Sequence, residues 1–224
     1  MDTAILDRIR ELAADRTSGA AELALRAAEL LSIARTEELR EAARALLSAQ
    51  PAMASVYNAA QAALAGRLEQ FVARLRCSGE VIAGRAAEHV RGKVVLTHSF
   101  SSTVVHALQQ GIPKRVICTE SLPGGEGGRT AALLHGEVIA DAAVYSALSD
   151  ADIVLVGADA VTPDAVINKV GTAMVALAAR ERGKPAWVLC GLDKFVSSEW
   201  KPRLGDLFEA TPRAWFSGII DDCG

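Results

Sequence analysis

Five short runs of aliphatic and branched residues constrain this chain more than any other feature: 94–97, 115–119, 138–140, 153–156 and 186–190. Each is continuously apolar, with no in-and-out alternation. A strand that reads this way is buried on both faces, the condition of a parallel sheet covered by helices. Parallel neighbours need long crossover connections, and the segments after the first and fourth runs are long enough to hold helices. Leu96-Thr97-His98-Ser99-Phe100-Ser101 carries the first run into a helix starting near Ser101. Residues 165–182 read as one helix, stopped by Gly183 with Pro185 just beyond.

The first 90 or so residues follow a different pattern. Apolar side chains recur at three- and four-residue spacing, as in Ile5, Ile9, Leu12 and again in Leu23, Ala27, Leu30, Leu31. Asp15-Arg16-Thr17-Ser18-Gly19 interrupts the first helix, and Ser18 reads as the N-cap of the second, with Glu22 in its first turn. A third helix is expected over 37–49, with Pro51 ending it or starting the next, a fourth over 55–77 and a fifth over 78–90. The pattern changes near Gly92. The chain therefore reads as α/β, with an N-terminal helical domain over 1–91 followed by a parallel sheet with flanking helices over 92–224.

Composition narrows the function classes. Half the residues are hydrophobic, enough for a sizeable core, and only 4% are aromatic. The net charge of −3 argues against a nucleic-acid partner, which a basic surplus would favour. The four cysteines, Cys77, Cys118, Cys190 and Cys223, form no C-x-x-C pair, and no histidine stands at metal-ligand spacing from them. Neither a metal nor another cofactor is implied. No apolar run reaches the roughly 18 residues that span a membrane, and the charged start of the chain lacks the pattern of a signal peptide. Cysteines inside apolar runs read as reduced thiols, which fits a cytoplasmic protein.

In an open parallel sheet, ligands bind at the carboxyl ends of the strands. Here each strand is followed by small or polar residues. Ser101 and Ser102 open a helix whose free N–H groups and hydroxyls suit a phosphate, and equally suit a plain cap. His98 suits carbonyl polarisation or a simple strand-end hydrogen bond. The turn 124–129 is glycine-rich without a nucleotide-loop pattern, and Arg129 at its end suits a phosphate. Asp159 follows the most hydrophobic run, where a carboxylate is costly unless satisfied or used. Asn168 and Lys169 are placed in the first turn of the 165–182 helix, where a lysine opposes the dipole. Lys169 is therefore expected to face an anion, Asp159 or a phosphate. Lys194, after the last run, adds a second positive group.

At these residues the sequence resembles a known family. LTHSFSSTV, VICTESLPGGEGGR, DIVLVGADAVTPDAVINKVGTAMVALAA and LDKF, together with DRTSGAAELA and QPAMASVYNAA nearer the start, are similar to the group that unites the alpha, beta and delta subunits of translation initiation factor 2B with two sugar-phosphate isomerases. Those isomerases act on ribose 1,5-bisphosphate and 5-methylthioribose 1-phosphate. The resemblance covers nearly the whole chain. It implies a helical region on a Rossmann-like domain, and a homodimer or larger homo-oligomer. It implies Asp159 as one of two proton-transfer groups, Asn168 and Lys169 at the substrate, and Arg16, Gly19 and Ala20 near a phosphate.

Two departures bear on activity. The catalytic cysteine of the isomerases falls on Ser99, whose hydroxyl is a far poorer base than a thiolate. The arginine before Pro51 is replaced by Gln50. The expectation is a protein that binds a phosphorylated sugar or nucleotide, with aldose–ketose isomerisation of a ribose 1-phosphate-type substrate as one outcome. Asp159 would then work at oxygen, with Glu120, His98 or Ser99 at carbon. The alternative is a non-catalytic regulatory subunit resembling initiation factor 2B, which the loss of the thiol favours.

Overall fold

The computed structural model describes residues 2–15 and 18–223. Five helices come first: α1 (Thr3–Ala14), α2 (Ala20–Ile33), α3 (Leu39–Ala49), α4 (Ala54–Leu64) and α5 (Leu68–Val90). Strands and helices then alternate through β1 (Val94–His98), α6 (Ser102–Gly111), β2 (Arg115–Thr119), α7 (Glu126–Leu134) and β3 (Glu137–Ile139). The short α8 (Val144–Ala147) leads to β4 (Ile153–Val156), β5 (Ala160–Val161), β6 (Ala165–Lys169), α9 (Thr172–Glu181) and β7 (Ala186–Leu189). β8 (Phe208–Pro212) and β9 (Gly218–Ile220) complete the order.

Six strands form one sheet in the order β3-β2-β1-β4-β7-β9, and every pair in it is parallel. Burial explains why. Alternate residues of β1 and β4 enter two different cores. Val95, Ile153 and Leu155 pack with Ile82, Ala86 and Val90 of α5 and Val104 and Leu108 of α6. Leu96, Val154 and Val156 pack with Val144 of α8 and Val175 and Ala179 of α9. Both faces are dry, so both sets of side chains must be apolar. The contact between α5 and α6 is close enough to need glycine, since a Cβ on Gly111 would fall on a Val90 methyl.

Helices α1 to α4 bury a third cluster around Leu12, Leu23, Leu30, Leu46 and Val56. Polar bonds close this layer where it meets the sheet. Gln50 Nε2 donates to Leu12 O at 2.8 Å, Ser55 Oγ donates to Ala20 O at 3.2 Å, and the Ala54 amide donates to Asp159 O at 3.0 Å. Gln50, at the arginine position of the resemblance, thus holds α1 in place.

Four sequence expectations need correction. Ser18 does not cap α2: the N-cap is Gly19, and the Ser18 amide instead donates to Asp15 Oδ1 at 2.9 Å. The Asp15 carboxylate, also held by Arg26 Nη1 at 2.6 Å, organises that turn. The break expected at 77/78 lies at 65–67, where Gly66 adopts φ +67° and α5 then runs unbroken past the buried Ser78. Residues 165–182 are not one helix. Val166 and Ile167 lie in β6, paired antiparallel to β5 and β8, and Gly171 at φ +102° turns the chain into α9. This second sheet, β5-β6-β8, was not expected.

The glycine-rich turn after β2 is a strict backbone requirement. A Cβ on Gly127 would fall on the Thr119 carbonyl oxygen, while Gly128, next to it in α7, has open space around its Cα. Gly127→Ala should therefore cost about 3 kcal/mol or more, roughly 6–12 °C in Tm. Gly128→Ala should be neutral or stabilising by up to about 1 kcal/mol. Calorimetry of the pair checks this, and equal losses in both would place the effect in the helix rather than in the clash.

Candidate functional site

Strand order reverses between β1 and β4, so the chain leaves their carboxyl ends in opposite directions and a crevice opens above them. A cavity of about 310 Å³ lies there, within the usual range for small-molecule sites. Its walls come from the segments after β1, β4 and β7, the start of α7, the end of β6, and the α1–α2 and α3–α4 turns.

Two helix N-termini converge on it. α6 begins at its N-cap Ser101, whose Oγ accepts from the Val104 amide at 3.3 Å. α2 begins at Gly19 and Ala20. The two starts are close, since a Cβ on Gly19 would lie 3.8 Å from Ser102 Oγ. A Cβ on Gly157 would press on Ser101 at 2.7 Å, so glycine lets α6 start against the end of β4. Free N–H groups and two positive dipole ends at one place suit an anion.

The charged side chains are held deep. Lys169 is 5% exposed and Lys194 6% exposed, and both line the cavity. Lys169 Nζ pairs with Glu126 Oε1 at 2.6 Å. The anions expected to face Lys169, Asp159 or a phosphate, are joined here by the Glu126 carboxylate, and β6 replaces the helix turn on which that expectation rested. Among the described residues, the Lys194 ammonium has no hydrogen-bond or ion-pair partner. Asn168, 7% exposed, donates from Nδ2 to Thr172 Oγ1 at 3.0 Å. The N-terminus of α9 is not free, because Glu209 Oε1 accepts from the Gly171 and Ala173 amides at 2.8 and 2.7 Å.

Asp159 is fixed through its backbone, its amide donating to Ile167 O at 2.8 Å and its carbonyl accepting from Ala54. Burial pushes its carboxyl up to about 6, a rise that Lys194 and then Lys169 hold back. Near neutral pH it is therefore populated both with and without its proton.

Ser99 sits at φ +66°, an uncommon conformation for a residue with a side chain. Its amide donates to Ser121 Oγ at 2.7 Å and its carbonyl accepts from Thr130 Oγ1 at 2.9 Å. Asp141 anchors this network by accepting from the Ser121 and Leu122 amides, both at 2.8 Å. The twisted backbone holds Ser99 at the cavity wall.

The remaining sequence candidates fall elsewhere. His98 is 2% exposed; Nε2 meets Val170 O at 2.9 Å and Nδ1 meets Thr119 Oγ1 at 2.7 Å. The carbonyl can only accept, so we assign the proton to Nε2, and both nitrogens are used. Burial lowers the His98 pKa, opposed by the Val170 bond, and the ring stays neutral. Glu120 does not line the cavity. Arg129 stands outside it too, with its guanidinium 3.8 Å from the ring centre of Phe100, which does line it. Arg16 lies outside the described residues. Cys118 and Cys190 are buried, their thiols pushed up by burial to about 11 and about 12.

The sequence reading missed Glu126. Its signal was a carboxylate among glycines directly after a strand. Gly124 gives it room, since a Cβ there would overlap the Glu126 carboxylate.

Comparison with known proteins agrees with this architecture. The model of the initiation factor 2 subunit family matches residues 3–202. A putative translation initiation factor eIF-2B subunit 2-like protein of Pyrococcus horikoshii is 32% identical, covering 98% of this chain and 95% of the relative. A ribose 1,5-bisphosphate isomerase of Haloterrigena turkmenica is 35% identical over 83% of this chain and 68% of its own. The crystal structure of a P. horikoshii translation initiation factor eIF-2B superposes with a TM-score of 0.90 at 30% identity, covering 100% of this chain and 97% of that one.

The raised carboxyl of Asp159 has a consequence for stability. The folded state holds the proton more tightly than the unfolded chain, so its contribution is intact below pH 4 and is lost as pH rises through about 6. A rise from 3.8 to about 6 corresponds to about 2–3 kcal/mol. Asp159→Asn should therefore be more stable than the parent at pH 7–8, with the gap closing toward pH 4. Denaturant titrations across that range test it, and a gap that does not change with pH would assign the effect to packing.

Proposed function

The chain belongs to the initiation factor 2 subunit family, and from this premise we propose that it binds a phosphorylated sugar in the cavity above β1 and β4 and interconverts the aldose and ketose forms of a ribose 1-phosphate-type substrate. One observation carries the reading: two helix N-termini and two buried lysines surround a carboxyl whose pKa is held at about 6. The N-termini at Gly19–Ala20 and Ser101–Ser102 take a phosphate. Lys169, Lys194 and Asn168 take the remaining phosphate and sugar oxygens. Asp159 gives and takes a proton at a sugar oxygen. Relatives that carry the name ribose 1,5-bisphosphate isomerase support this substrate class.

The test is a thermal-shift screen with ribose 1,5-bisphosphate, methylthioribose 1-phosphate and AMP, followed by assay of any sugar that binds. At about 100 times its Kd, a specific ligand should stabilise the fold by about 2.7 kcal/mol. No shift with any of them removes the reading. In the assay, Ser99→Cys should raise turnover, because a thiol ionises far more readily than a hydroxyl.

Ser99 itself favours a second reading, a regulatory subunit that binds the ligand without converting it. Binding without turnover in both the parent and Ser99→Cys would select that reading.

Among the described residues, no helix is long and apolar enough to cross a membrane. Cytoplasmic residence and a homodimer or larger homo-oligomer belong to the same proposal. Light scattering at micromolar concentration should return at least twice the 23.5 kDa chain mass, and a monomer would remove the assembly from it.

A further inference from the structure

An aldose–ketose interconversion moves one proton between two carbons, and the cavity holds no thiolate to do it. We propose that Glu126 is the general base that carries this proton, an inference that rests on the isomerase reading above. Glu126 lines the same cavity as Asp159, Ser99 and Asn168. One oxygen, Oε1, accepts from Lys169 Nζ at 2.6 Å. The other, Oε2, is buried and has no hydrogen-bond partner among the described residues. A buried carboxylate oxygen without a donor is costly, and a fold that keeps one has an unused proton acceptor.

The alternatives are weaker on geometry. Both nitrogens of His98 are occupied, Glu120 is outside the cavity, and Cys118 and Cys190 are buried thiols with raised pKa values. The Ser99 hydroxyl is a poor base. Lys169 does two jobs at once: one of its three N–H donors fixes Glu126, and the others are free for a substrate oxygen. Substrate and base are thereby registered by one ammonium.

The steps balance. Asp159, protonated, gives its proton to the ring oxygen as the bond from C1 to that oxygen breaks, leaving C1 electron-poor beside its phosphate-bearing oxygen. The Glu126 carboxylate takes the C2 proton, and the C–H electron pair becomes the C1–C2 double bond. The C2 hydroxyl proton then returns to Asp159 as the C2 carbonyl forms, and the double-bond pair takes the proton back from Glu126 at C1. Both carboxyls end as they began, and no oxidant or reductant is needed.

The test uses the full chain with ribose 1,5-bisphosphate and methylthioribose 1-phosphate. Glu126→Gln keeps an oxygen for Lys169 but removes the base. It should bind with the parent's thermal shift and similar KM, while kcat falls by roughly 100- to 10,000-fold. Transfer of deuterium between C2 and C1 should fall in step. Should Glu126→Gln not fold, Glu126→Asp decides: the shorter side chain should slow turnover at least tenfold and raise the isotope effect of C2-deuterated substrate. Parent-like kcat in Glu126→Gln, or an unchanged rate and isotope effect in Glu126→Asp, overturns the assignment while leaving the isomerase reading intact. A parent enzyme that turns over neither sugar overturns both.

Discussion

The pairing of β1 with β4 is the contact on which the rest of this molecule depends. Val95 faces Ile153, Leu96 faces Val154 and Thr97 faces Leu155, with Arg115 to Thr119 of β2 on the far side of β1 and β7 on the far side of β4. The chain therefore departs from β1 toward β2 and from β4 toward β7. Neither departing segment can cover the shared carboxyl edge, and a crevice remains there for backbone reasons alone. The small antiparallel sheet and the α1–α4 layer then roof this crevice. Ala54 joins the roof to the sheet by donating to the backbone of Asp159, and Ile167 accepts from the same residue. Asp159, whose carboxyl burial raises to about 6, is thus also the point at which three layers meet.

Charge is concentrated where it is hardest to keep. Lys169, Lys194 and Asp159 all lie in or under the cavity wall, and Glu126 reaches in from the start of α7. Removing ionic groups from water costs several kcal/mol each, and a single ion pair recovers this poorly. Lys169 with Glu126 is one such pair, and Lys194 lacks even that among the described residues. Apolar residues of similar volume in place of a buried ion pair are often as stable or more so. Two lysines and two helix N-termini facing one space make thermodynamic sense when an anion completes the arrangement. The Thr119–Ser121–Asp141 network holds both the His98 ring and the left-handed backbone of Ser99.

Much of this was legible in the residues. Both faces of the central strands are dry, so these strands stood out as unbroken apolar runs, and the observed bounds of β1, β2, β4 and β7 fall within one residue of those runs, whereas the edge strand β3 is largely exposed, Val138 at 49%. Collecting the residues after each run brought Ser99, Ser101, Ser102, Asp159 and Lys194 to one edge, because parallel strands present all their carboxyl ends together. Val166 and Ile167 suit a strand as well as a helix, and pairing on both sides decides it: β5, a few residues before, and β8, about forty residues on, supply their backbone partners. Ser18 stands one residue before the N-cap Gly19, its amide held by the Asp15 carboxylate.

The sequence by itself therefore determined the layered α/β architecture, the edge at which chemistry would gather, and the family resemblance. These depend on local pattern and burial period, which are properties of short stretches. Tertiary structure alone decided that Lys169 pairs with Glu126 rather than Asp159, that Glu120 and Arg129 stand outside the cavity, and that His98 has no nitrogen to spare. Each of those outcomes depends on which distant side chain reaches a buried group first. That is set by the angle and register at which elements pack, and no window of the sequence contains it.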